Sequence, residues 1–120
     1  HIILGLPGED RDHWMRTADV LSHLPIDFLK IHQLHIVKQT KMAYDYLRGD
    51  ITLLNEREYL DILKEFVARL NPDIVIQRLF GTAPHEILVS PHWETPLPSL
   101  HQQLIQEMND EGLYQGKYYQ

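Results

Sequence analysis

No cysteine occurs in the 120 residues, so this chain cannot by itself build disulfides, thiolate zinc sites or thiolate-held iron–sulfur clusters. Long apolar runs are missing too. Nothing approaches the length of a membrane span and no signal-peptide pattern is present, so the expected setting is cytoplasmic, with no membrane partner. Positive charge is scarce: 11 Lys and Arg stand against 17 Asp and Glu, a formal net charge of −6. That balance argues against a broad nucleic-acid surface. The Gly-Lys-Ser/Thr ending of a P-loop is absent, and no Ser-His-Asp or Cys-His arrangement offers a nucleophile. There is no internal repeat, low-complexity tract or linker. With 43% hydrophobic and 23% charged residues, the chain reads as one globular domain with a real core.

What is present is organised around the first ten residues, His1-Ile2-Ile3-Leu4-Gly5-Leu6-Pro7-Gly8-Glu9-Asp10. Ile2, Ile3 and Leu4 lack polar alternation and read as a strand buried on both faces. Gly5 and Gly8 allow a backbone without a Cβ penalty and a close approach to the main chain, with Pro7 stiffening the turn between them. Glu9, Asp10 and Asp12 supply the negative charge that a helix N-terminus favours, a simpler account than a catalytic carboxylate pair. Strand, glycine turn and helix make a βα unit, whose loop lies at the ligand-binding end of a parallel sheet. Taken alone, the turn reads first as a structural βα connection and second as a ligand turn.

Trp14, Ala18, Leu21 and Leu24, with Met15 alongside, form one face of an amphipathic helix over residues 12–24, stopped by Pro25. A second strand is expected over residues 28–37, with Leu29 and Ile31 on one face and Lys30 and His32 on the other. Thr40 caps a short helix that Gly49 ends. Asn55 and Glu58 cap the next, whose stripe is Tyr59, Ile62, Leu63, Phe66 and Leu70. Residues 73–80 read as a third strand, and 87–90 as either a short fourth or an extended stretch. Thr95 and Pro96 serve as cap and first residue of a last helix carrying Leu97, Leu100, Leu104 and Met108, ending near Gly112. The polar, aromatic tail after it is expected to dock at one end and fray at the other.

Eight histidines invite a metal hypothesis. His32 and His35, three apart on one strand, point to opposite faces and converge only if the strand ends between them. His85, His92 and His101 lie in separate elements with no ligand spacing. Arg78, late in its strand, either grips a carboxylate or phosphate bidentately or pairs with an acidic neighbour.

The opening nine residues resemble the late barrel strand and turn of radical S-adenosylmethionine (radical SAM) proteins. The closest likeness is to a branch of Fe-S oxidoreductases that itself resembles the elongator catalytic subunit and oxygen-independent coproporphyrinogen oxidase. In that superfamily the strand reads Gly-x-Ile-x-Gly-x-x-x-x-Glu. Here Ile3 and Gly5 match, while His1 and Asp10 replace the terminal Gly and Glu. Lys30 to Ala43 resembles the family's Leu-Lys-x-His-x-Leu-x-Val-x-Lys-Gly-Thr-x-Met-Ala, with Gln39 in place of glycine. Gln77 and Arg78 resemble its Ile-Gln-Arg strand, and the tail its closing segment.

The resemblance implies an α/β fold: a parallel-strand partial (half) TIM-like barrel of βα units, with a C-terminal helix and tail. It implies that Gly5, Leu6, Pro7 and Gly8 line the SAM wall, followed by Leu34, His35 and Ile36. SAM and a [4Fe-4S] cluster would belong to a parent protein whose N-terminal half carries the Cys-x-x-x-Cys-x-x-Cys loop. This chain, an expected C-terminal fragment of an oxidoreductase, would bind no cofactor and be inactive alone. Its substrate would be a small molecule or, on the elongator likeness, tRNA. From another class, a stand-alone α/β module holding a phosphate or nucleotide at its glycine turn, or an interaction domain with an idle turn, fits the same residues. Half a barrel has sheet edges, so self-association is expected, unless residues 114–119 fold over the exposed edge.

Overall fold

In the computed structural model, which describes residues His1–Gln120, the opening apolar triplet is strand β1 (Ile2–Leu4). Helix α1 (Arg11–Leu21) follows, then β2 (Phe28–Gln33) and β3 (Ile36–Val37). Helices α2 (Lys41–Leu47) and α3 (Glu56–Arg69) come next. Strands β4 (Val75–Arg78) and β5 (Leu88–Ser90) and helix α4 (Leu97–Asp110) complete the order. No helix is long and apolar enough to cross a membrane.

The fold is mixed α/β. β1, β2 and β4 form a three-stranded parallel sheet with β2 in the middle. Leu29, Ile31 and Gln33 of β2 are buried, whereas Phe28 is exposed and Lys30 and His32 are only half-buried. The expected two-faced strand is therefore present, with its apolar side toward the helices. Leu4, Leu29 and Ile31 join the buried faces of α1, α3 and α4 in one core. Ile3, on the opposite face of β1, instead packs against a small second cluster of Leu34, Ile36 and Ala43.

The ten-residue strand expected over residues 28–37 is broken. It leaves the parallel sheet after Gln33, and β3 pairs antiparallel with β5 in a separate ribbon. The buried Gln33 side chain explains the break. Its Nε2 donates to the Gly81 carbonyl (3.1 Å) and its Oε1 accepts from the Gly81 amide (2.9 Å), so the strand end is tied to the loop after β4. The fourth strand is thus not a further parallel strand of the sheet.

Helix limits follow local chemistry. Asp10 is the N-cap of α1, accepting from the His13 amide, and the His13 ring returns to the Asp10 amide. His13 also holds the Asp10 carboxyl below its ordinary range. The helix stops at Leu21 rather than residue 24, because Ser22 turns the chain. Its hydroxyl donates to the Ala18 carbonyl (2.6 Å) and accepts from the Asn71 amide (2.9 Å). Leu24 is left exposed. Thr40 caps α2, with Gly49 beyond it at φ +86°. Asn55 and Glu58 form the capping box of α3, and Tyr59, Ile62, Leu63, Phe66 and Leu70 are all buried. Thr95 does not cap α4. Its amide and hydroxyl both donate to the Glu56 carboxylate (3.1 and 2.8 Å), and the helix begins after Pro96 without a side-chain cap.

An ionic network fastens α3 to α4. Lys64 donates to Glu107 (2.9 Å) and Glu111 (2.8 Å), and Arg57 to Glu107 (2.9 Å) and Asp61 (2.9 Å). The Arg57 guanidinium foremost, with Lys64, holds the Glu107 carboxyl at about 2. A depressed carboxyl stabilises the fold above its ordinary range, and that share is lost as pH falls from about 4.5 toward about 2. Glu107→Gln should therefore cost about 1 kcal/mol at neutral pH and flatten the acid limb of stability between those values. Urea unfolding at pH 7, 4 and 2.5 measures both; parallel pH profiles for variant and native chain would refute the assignment.

The outer edge of β1 pairs with no strand of this chain. The tail does not cover it. It runs back to the C-terminus of α3, where the Gly116 and Tyr118 amides donate to the Val67 (3.3 Å) and Ala68 (2.8 Å) carbonyls. The Ala68 carbonyl, one of the acceptors that a helix end leaves open, is thereby satisfied, and Val67, which already accepts from the Leu70 amide (3.2 Å), gains a second donor.

Candidate functional site

Two clefts open beyond the carboxyl ends of the parallel strands, where a sheet of this type takes its ligands. The first follows β1. Gly5 and Gly8 adopt φ of +103° and +83°, which glycine alone enters at no steric cost. The Glu9 amide donates to the Leu6 carbonyl (3.2 Å) and closes the turn. Facing the turn is the segment from Asp50 to Leu54, and together they bound a cleft of about 240 Å³.

The two glycines serve different ends. A Cβ on Gly5 would stand 3.2 Å from Leu54 Cδ1, whereas one on Gly8 would meet no atom within 4 Å. Gly5 lets Leu54 close on the turn, and Gly8 leaves the turn open. Beside them, Glu9 accepts from the Trp14 indole nitrogen (3.2 Å) and Asp10 caps the helix, so both acidic side chains are committed to the start of α1. Leu6 packs on the second cluster, which links the turn to the segment after β2.

In that segment the Leu34 and Ile36 side chains are buried within the second cluster. His35 points elsewhere. Because β2 ends between them, His32 and His35 stack, with ring centroids 6.2 Å apart and planes 11° from parallel. Burial, and next to it His32, pushes the His35 imidazole below its ordinary pKa. Gly81 lies against this pair: a Cβ there would fall 2.6 Å from His32 Cβ and 3.1 Å from His35 Cε1.

His35 lines the second cleft, of about 400 Å³, between the loop after β4 and the β3–β5 ribbon. His85, His92 and Trp93 share it, although nothing in their sequence spacing joins them. The His85 and His92 rings are 5.7 Å apart. Nowhere do three His, Asp or Glu side chains converge as metal ligands. Arg78 makes no ion pair; it is exposed beside Lys30, its register partner on β2. The segment from Asp50 to Leu54, the Gln33–Gly81 clamp and this aromatic lining escaped sequence reasoning. Each depends on contacts between distant segments, and no local signal marks them.

A family model described as the Radical_SAM C-terminal domain matches residues 26–110. The uncharacterized protein YtqA of Bacillus subtilis is 33% identical over 120 residues, 100% of this chain and 37% of its own length. The uncharacterized protein MJ0486 of Methanocaldococcus jannaschii is 37% identical over 117 residues, 97% of this chain and 36% of its own. Among solved structures, the archaeal Methanocaldococcus infernus Elp3 with an N-terminal deletion superposes with a TM-score of 0.80. That likeness covers 96% of this chain and 27% of the other at 16% identity, and so speaks to the fold. The chain spans little more than a third of the length of the first two relatives.

Proposed function

The chain belongs to the Radical_SAM C-terminal domain family, and from that premise we propose that it forms the closing part of a radical SAM barrel. Its parallel sheet would continue, across the open edge of β1, the strands of an N-terminal half. The glycine turn after β1 would then be part of the wall against which SAM lies. The observation that carries this reading is the turn itself: two positive-φ glycines at a strand's carboxyl end, bounding a cleft whose lining includes Leu6, Pro7, Thr52 and Leu54. Backbone groups and apolar side chains of that kind suit an adenosyl group.

An iron–sulfur cluster does not fit this chain, which offers no thiolate; its ligands would come from the N-terminal half. The chemistry supplied when SAM and the cluster are bound is one-electron hydrogen abstraction. This chain's share is binding surface, orientation and exclusion of water. Gly5 keeps Leu54 seated on the turn, and Gly8 keeps the cleft open.

Gly8 gives the cleaner test. Valine at Gly5 would strain the backbone and press on Leu54, mixing folding with binding. Valine at Gly8 is strained as well (φ +83°), but a Cβ there meets no protein atom within 4 Å, so strain comes without a clash on Leu54, and an unfolding midpoint measured alongside separates it from binding. In the parent protein with its cluster in place, Gly8→Val should weaken SAM binding roughly tenfold or more, about 1.4 kcal/mol, with unchanged iron content. Equilibrium dialysis with labelled SAM measures it, and unaltered affinity would remove the turn from the cofactor wall.

A further inference from the structure

We infer that the cleft lined by His35, His85, His92 and Trp93 binds a flat, uncharged nitrogen heterocycle of the nucleobase type, taken as a small molecule rather than as part of a nucleic-acid strand. Four aromatic rings border one opening of about 400 Å³, within the range of small-molecule sites. The walls are anchored from behind. Trp93 packs on the buried Tyr59 ring at 5.4 Å, Tyr59 donates to the Leu79 carbonyl at 2.7 Å, and Gln33 holds Gly81 from the other side. Trp93, held this way, stacks on a ligand without first losing freedom of its own.

The polar groups narrow the class further. No Lys, Arg, Asp or Glu lines the cleft, so no permanent charge there calls for a phosphate or an ammonium, and the chain's net charge of −6 disfavours a polyanion. The Gln33 amide and the Thr95 hydroxyl are already spent on Gly81 and Glu56. His92 Nε2 lies 3.1 Å from the Leu88 carbonyl. A carbonyl only accepts, so Nε2 carries a proton, and in the neutral ring Nδ1 is then the acceptor offered to a ring N–H. The exposed Thr82 hydroxyl is free to donate. One acceptor, one donor and stacking faces describe the edge and plane of a base.

This inference shares His35 with the expected cofactor wall but no residue with the cleft at the glycine turn, so the variants at that turn tell the two readings apart. Calorimetric titration of the 120-residue chain with inosine, with inorganic phosphate alongside, tests it. Inosine should bind and phosphate should not. His85→Ala, at an exposed position, and Trp93→Ala should each weaken inosine at least fivefold, and Trp93→Phe should retain most of the affinity. Gly8→Val should leave it unchanged. Silence with inosine, or unchanged affinity in His85→Ala and Trp93→Ala with a loss confined to Gly8→Val, would overturn the assignment. In the last case the ring sits in the glycine-turn cleft. Phosphate binding as tight as inosine would overturn it as well.

Discussion

Tyr59→Ala should cost about 4 kcal/mol, the range of a fully buried aromatic replaced by alanine. Tyr59 is completely buried, and its ring meets Phe80 at 5.5 Å and Trp93 at 5.4 Å. Its hydroxyl, kept protonated by burial far above the ordinary range, donates to the Leu79 carbonyl. Truncation thus leaves a cavity, frees two rings from their common partner and strips a carbonyl of its donor. Tyr59→Phe removes only the last of these and should cost about 1 kcal/mol. Urea midpoints at constant m-value separate the two. Near-equal losses would mean that the hydroxyl, not the ring, holds the loop after β4. Because Trp93 leans on the same ring, Tyr59→Ala and Trp93→Ala together should cost less than their sum.

The second large effect is expected at Gly116, far from either cleft. Gly116 sits at φ +90°, and a Cβ there would lie 2.8 Å from Pro72 Cδ and 2.9 Å from Cγ. A proline ring cannot yield as a flexible side chain does. Gly116→Ala should therefore either cost about 2 kcal/mol, strain and overlap together, or release the tail from α3. Release would also break the bonds that Gln115 Nε2 donates to the Asn71 (3.0 Å) and Ile74 (2.7 Å) carbonyls. Hydrogen exchange at the Tyr118 amide, bonded to Ala68, reads the docking directly. Gly112→Ala is the matched control: φ is +69°, but the nearest atom is Lys117 Nζ at 3.8 Å, so only strain of about 1 kcal/mol is due. Equal stability and equal Tyr118 protection in both variants would show that Pro72 does not fix the tail.

The helices were legible because their signals are local. The capping box of α3 spans four residues, from Asn55 to Glu58, and its stripe repeats within the helix itself. Thr40 and Gly49 bracket α2 in the same way. The glycine turn was legible for a similar reason: both glycines take the positive φ that their identity suggested. Gln39 shows the reverse case. It occupies a position where related sequences were expected to hold glycine, and it keeps the glycine-like conformation (φ +62°) despite its side chain.

The break in the second strand was hidden because its cause lies in Gly81, 48 residues from Gln33. Alternation from Leu29 to Ile31 ran on without a mark where pairing changed sheets. The approach of His32 to His35 followed from that break. Thr95 was misread because an N-cap residue and a residue that donates to a neighbouring helix's carboxylate look the same in sequence. The lining of the second cleft comes from three segments, so only the folded chain assembles it.

The central position of β2 sets the order in which this molecule can be assembled. Its register partners are Ile2, Ile3 and Leu4, which lie one helix before it, and Val75, Ile76 and Arg78, which lie two helices after it. A sheet made this way has no hairpin to nucleate it. Each strand pair must close a long loop before its hydrogen bonds repay the lost entropy. The helices, whose contacts are short in sequence, form without that delay. α3, capped at its start and carrying the most buried side chains of any helix, is the natural template on which the three strands later align. β1 is the least secured of the three: it is three residues long, pairs on one side within this chain, and is anchored in the main core chiefly by Leu4.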